Sequence, residues 1–255
     1  MSPNRKTRMG EQDGAFQSTH WSLIFRARTL DPGRRQGAVG DILARYTKPV
    51  YSYLRRKGHD HHEAEELAQA FFTDKVLDYD LVQRANPARG KFRTYLLTAL
   101  DHYATSMSRK EKAQKRGPKG GLVRLDAMES PGVAQPSQAS PEEVFNYEWA
   151  SALLDEVLAD VEAECCQAGK AVYWEVFRAR VLLPIKEEAE PPSLASLCAQ
   201  HGIPDEVKAS NMIITVKRRF ETALRRRIRE SVSSDDEIDP EIRDLMEILA
   251  RGAGT

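Results

Sequence analysis

Cysteine is scarce in this chain, with three among 255 residues. Two of them, Cys165 and Cys166, are neighbours, and adjacent cysteines bridge poorly, so a disulfide framework is excluded and a reducing compartment fits. Long apolar runs are missing too. No stretch reaches the length of a membrane span, and Met1 to Gly14 is polar without the apolar centre of a secretion signal. Strand-like alternation is nowhere sustained, which removes a sheet. No phosphate-binding glycine loop and no nucleophile elbow occurs, and the carboxylates are scattered over solvated helix faces, so catalysis is not indicated. His59, Asp60, His61, His62 and Glu63 hold metal-capable atoms, but they follow Gly58 at a helix start, where acids favour the helix dipole. Cys165, Cys166 and Cys198 lack a fourth ligand at a zinc spacing. These absences describe a cytoplasmic, non-enzymatic protein with no metal and no cofactor.

The residues that are present are unevenly distributed. The formal net charge is zero, yet residues 1–120 hold 23 Lys and Arg against 13 Asp and Glu, and the remainder holds 15 against 25. Within the acidic half the bases gather at 208–229, so each half carries a basic surface. Residues 113–141 are rich in Gly, Pro and Ser with little periodicity, the composition of a flexible linker. The fold class read from this is all-α: two small helical domains joined by a flexible linker, the second containing a helix-turn-helix. The segments are an N-terminal extension with a short helix (1–38), a first helical domain (39–116), the linker (117–141), a second domain (142–232) and an acidic tail with a short helix (233–255). Helices are expected near 39–57, 62–78, 91–111, 142–166, 170–183, 193–200 and 205–230.

The stretch from Ser193 to Arg229 is the most specific. Leu194, Leu197 and Cys198 give a short helix one apolar face, His201, Gly202, Ile203 and Pro204 turn the chain, and Asp205 caps a second, longer helix. Along that helix Ala209, Ile213, Val216, Phe220 and Leu224 recur at spacings of three and four, leaving Lys208, Ser210, Asn211, Thr215, Lys217, Arg218 and Arg219 outside. Small hydrogen-bonding residues stand near the helix start, where bases are read, and arginines crowd its far end, where phosphates pass.

In the first domain Ala64, Leu67, Ala68, Phe71, Phe72 and Val76 form one stripe, with Glu63, Glu65, Glu66, Gln69, Asp74 and Lys75 outside. A turn at Asn86 to Gly90 leads to a helix that interleaves Phe92, Tyr95 and Tyr103 with Lys91, Arg93, Arg109 and Lys110. Aromatics among bases suit single-stranded nucleic acid, since stacking contributes about 1–3 kcal/mol per base. The competing reading places at least two of Phe92, Tyr95 and Tyr103 in the core.

The runs Ala64 to Phe72 and Gly90 to Leu97, followed by the distal helix-turn-helix, resemble the bacterial RNA polymerase sigma factors of the sigma-70 family, extracytoplasmic-function group. The opening Phe16 to Leu23 is similar to that of the long planctomycete and myxobacterial subgroup. The resemblance implies a region-two domain in the first half and a region-four domain in the second, with regions one and three missing. It implies core RNA polymerase and promoter DNA as partners, and it leaves room for an anti-sigma factor. Glu65, Glu66, Gln69, Phe72 and Lys75 match the surface that docks on polymerase. Asn86, Arg89, Lys91, Phe92, Arg93 and Tyr95 match the part that melts the minus-ten element and captures a strand, with Arg109 and Lys110 extending the basic track. Lys208, Ser210, Asn211, Thr215 and Arg218, with Lys217 and Arg219 beside them, match the helix that reads the minus-thirty-five element. Ala70 departs from the acid usual there. The expected function is a promoter-specifying initiation factor in the cytoplasm, associated with the nucleoid; the alternative is a stand-alone helix-turn-helix regulator, which has no reason for a polymerase-docking face.

The tail carries Asp235, Asp236, Glu237, Asp239, Glu241, Asp244 and Glu247, and a helix starting at Asp239-Pro240 aligns Ile242, Leu245, Met246 and Leu249. It is read either as an acidic solubilising end or as a helix that folds back to screen the arginines at 218–229.

Overall fold

The computed structural model describes residues 24–28, 31–77, 80–86, 89–115, 139–229, 232 and 234–252. The expectations for residues 1–23, including the opening Phe16 to Leu23, and for the linker at 117–138 lie outside these. No strand occurs among the described residues, and none of their helices is long and apolar enough to cross a membrane.

Helix α1 (Pro32–Arg56) begins where the Asp31 carboxylate accepts from the backbone N–H groups of Gly33 and Arg34, with Pro32 in the first turn, well before the expected start at residue 39. At α2 (His61–Phe71), Asp60 and Glu63 form a reciprocal capping box. The metal-capable cluster at residues 59–63 is therefore a helix cap, and its His61 Nδ1 lies 2.8 Å from the Tyr51 hydroxyl. The helix runs on as a wide π turn, Phe72–Leu77, in which the adjacent Phe71 and Phe72 are both buried with ring centroids 5.5 Å apart. After α3 (Asp80–Arg84) comes α4 (Phe92–Lys115).

The second half starts with α5 (Pro141–Gln167), capped by Ser140 and Glu143. There follow α6 (Ala171–Phe177), a π turn (Arg178–Leu182) and α7 (Leu183–Glu187), which break up the single helix expected at 170–183. Helices α8 (Leu194–His201) and α9 (Glu206–Arg229) match their expected ranges, and α10 (Ile238–Gly252) closes the described chain.

The two halves share one core. α5 lies along α1, with the Phe145 ring stacked near Tyr46 at 6.4 Å and edge-on to Tyr53 at 6.5 Å, while Tyr46 meets Phe92 of α4 at 5.7 Å. Arg45 pairs with Glu156 at 3.2 Å and Lys48 with Glu148 at 2.8 Å across the same seam. Burial raises the Tyr46 hydroxyl pKa far above its ordinary value, so the ring is a neutral part of that core. One continuous set of buried side chains runs from Ile24 through α1, α2, α4, α5 and α9 to Leu245 of α10. A smaller cluster of Val176, Leu197, Cys198, Ile203, Ala209 and Met212 lies under the α8–α9 turn. The sequence places a helix near 142–166 and is silent on which partner its buried residues meet.

Candidate nucleic-acid interface

Between α8 and α9, Gly202 adopts φ +63°, a left-handed geometry that suits glycine, and the Ile203 N–H donates to the Cys198 carbonyl at 2.9 Å. The Asp205 carboxylate then accepts from the Lys208 N–H at 2.7 Å and starts α9. This tight turn holds the outer face of α9 away from the core. Lys208, Asn211, Lys217 and Arg218 are exposed on it, and among the described residues none of the three cations has an ion-pair partner. Ser210, Thr215 and Arg219 are half-buried. The Thr215 hydroxyl donates to the Asn211 carbonyl at 2.8 Å, and the Arg219 guanidinium donates to the Glu164 carbonyl at 3.3 Å.

The distal arginines differ. Arg226 pairs with Glu164 at 3.1 Å, and Arg227 with Asp160 at 2.6 Å and Glu156 at 3.6 Å, both tying α9 to α5. Arg225 pairs with Asp239 at 2.9 Å, and Arg229 pairs with Asp235. The tail thus folds back on the second half, holding Arg225 and Arg229 and leaving Lys217 and Arg218 open.

The second basic site is at the start of α4. Phe92 and Tyr103 are core residues, 2% and 8% exposed, as the core reading of the aromatics expects. Tyr95 is half-buried. The Tyr103 hydroxyl donates to Asp74 at 2.8 Å, and burial first, then that bond, pushes its pKa up to about 12. Asn86, Arg89, Arg109 and Lys110 are exposed, whereas Arg93 is 8% exposed, its guanidinium 4.2 Å from the centre of the Trp149 ring on α5. Arg93 is also held by Glu241 of α10, and Lys91 by Glu241 at 2.5 Å and by Asp244. Lys91 lowers the Asp244 carboxyl below its ordinary pKa. Sequence alone does not anticipate Trp149 or the pairing of Glu241 and Asp244 with this site. Its one signal is the spacing of two acids three apart on a helix with an apolar opposite face.

On α2, Glu65, Glu66 and Gln69 are exposed, with His61 and His62 3.5 Å from Glu65 and Glu66. Lys75 is half-buried and Phe72 is in the core, 5% exposed. Of the residues expected to dock on a partner, Glu65, Glu66 and Gln69 are fully presented to one.

All three cysteines are free thiols, and burial raises the pKa of Cys165. Among the described residues no three His, Cys, Asp or Glu side chains gather as a metal would need.

Neither a curated protein nor a solved structure matches the chain. Residues 42–114, which run from within α1 to the end of α4, match the family model of Sigma-70 region 2. That match supports a sigma-factor role in transcription initiation.

Proposed function

We propose that the chain is a promoter-specifying initiation factor of the extracytoplasmic-function group, working in the cytoplasm on the nucleoid, in which the region-two segment docks on polymerase and captures the minus-ten strand while α8 and α9 act as a helix-turn-helix on the minus-thirty-five element. The observation that carries this reading is the coexistence, in one chain, of the matched segment at 42–114 and a helix α9 whose exposed Lys208, Asn211, Lys217 and Arg218 face away from the core. A duplex reader needs an outward helix with hydrogen-bonding residues near its start; the exposed Lys208 and Asn211 in the first two turns support this, with Arg218 exposed at mid-helix. Glu65, Glu66 and Gln69 form the polymerase-docking face, which a stand-alone regulator would not need. Asn86, Arg89, Arg109 and Lys110 form the open part of a basic track beside Lys91 and Arg93.

The test is capture of core polymerase followed by run-off transcription from promoters the loaded enzyme selects. Asn211→Ala and Arg218→Ala each lower promoter affinity, by an amount on the order of 1–3 kcal/mol for one good base contact, and leave polymerase binding intact. Glu66→Lys with Gln69→Ala does the reverse: the helical circular dichroism persists and polymerase capture is lost. Parental promoter affinity in the first pair, or parental polymerase yield in the second, overturns the respective assignment.

A further inference from the structure

The cation pair at the start of α4 is occupied. Arg93 and Glu241 are 8% and 4% exposed, an ion pair closed to solvent and roofed by the Trp149 ring. Lys91 is shared between Glu241 and Asp244, and Arg93 also lies 3.6 Å from Asp244. Two carboxylates on two adjacent cations supply the negative charge and the acceptor oxygens that a strand backbone offers through its phosphates. The same tail helix, through Asp239 on Arg225, lies over the second basic surface as well.

We propose that α10 is an internal competitor for single-stranded nucleic acid, its Glu241 and Asp244 carboxylates standing on Lys91 and Arg93 where strand phosphates bind. This rests on the reading of Lys91 and Arg93 as strand-contacting residues. Charge identifies the occupant: seven acids lie between 235 and 247, and four of them, Asp235, Asp239, Glu241 and Asp244, meet cations of the two basic surfaces. α10 is held on the core by buried Ile238 and Leu245 and by the partly buried Ile242, Ile248 and Leu249, while Met246 is 50% exposed, so a strand must offset that apolar contact as well as the ion pairs. The Asp244 carboxylate is an anion at neutral pH, so the strand must displace charge rather than protonate it. Release frees Lys91 and Arg93 together, two adjacent cations for a strand backbone.

The full-length chain decides this. Glu241→Gln with Asp244→Asn keeps size and shape and removes both competing charges. Fluorescence anisotropy with a labelled short single strand of mixed sequence is expected to show binding about fivefold tighter or more, with a salt slope steeper by about 1.4 for two regained contacts. The same pair placed in a Lys91→Ala chain loses much of that gain. Because the double variant removes a buried pair and could loosen the fold, the parent chain provides an independent measurement: saturating oligonucleotide should release the amides of residues 238–250 to hydrogen exchange while those of α9 stay protected. Unchanged affinity and slope in the double variant, or α10 amides that stay protected in the strand complex, overturn the proposal. Core-polymerase capture run alongside separates the two readings: competition without polymerase binding leaves α10 as competitor and sinks the initiation role, and polymerase binding without competition does the opposite.

Discussion

Phe145→Ala removes the ring on which the two halves of the molecule meet. Phe145 is fully buried on α5, stacked near Tyr46 and edge-on to Tyr53, both of α1. Truncating a buried phenylalanine costs about 3–5 kcal/mol from lost transfer energy and the cavity left behind. Two aromatic contacts of about 0.5–1.5 kcal/mol each favour the upper part of that range. At about 2–4 °C per kcal/mol for a chain of this size, the midpoint of thermal unfolding falls by roughly 6–20 °C. The assay is denaturation followed by far-ultraviolet circular dichroism and tryptophan fluorescence in parallel, with native-state hydrogen exchange on the same variant. Because α1 and α5 share their buried surface, both probes should move together, and amides of α1 must lose protection along with those of α5. Two separate transitions with only one displaced, or a loss below about 1 kcal/mol, would refute a shared core.

Two further outcomes are expected. Gly202→Ala meets no atom within 4 Å, so its cost is the left-handed backbone at φ +63° alone, about 1–2 kcal/mol, read as a shift in urea midpoint; an unchanged midpoint contradicts the turn geometry. Asp101, which accepts from Lys57 and from the Tyr53 hydroxyl, has its pKa lowered mainly by Lys57, so its contribution is present above the ordinary carboxylate range near 3.9 and disappears as pH falls through the lowered value. The carboxylate is 43% exposed, so Asp101→Asn flattens the acid limb of the stability profile by only about 0–1 kcal/mol, and superimposable limbs would show that the pair contributes nothing.

Local order was legible where one helix buries its own face. The turn at Gly202, the cap at Asp205 and the stripe Ala209 to Leu224 located α8 and α9 to within a residue or so, because capping chemistry and a 3.6-residue period act over short range. The π turn at Phe72–Leu77 was not legible: Phe71 and Phe72 read as one stripe, and both are buried, Phe71 5.6 Å from Tyr103, in contacts that no local window of sequence contains. The linker composition suggested two separate units, and the Phe145 and Trp149 face of α5 fits that suggestion as well as it fits burial on α1. Which face meets which is decided by long-range contacts that no window of sequence contains. At the site, the exposed Lys208, Asn211, Lys217 and Arg218 followed from amphipathicity. The occupation of Lys91 and Arg93 by residues about 150 positions away did not, since charge alone does not choose among many available partners.

The roof and the cation of the α4 site are made well before the acid that closes it. Arg93 and Trp149 precede Glu241 in the chain, and at roughly 5–20 residues per second of synthesis about 5–20 seconds pass between the ring and the carboxylate. Until Glu241 is made, Arg93 lacks the carboxylate that closes its ion pair in the finished chain, so the last segment synthesised is the one that neutralises this cation.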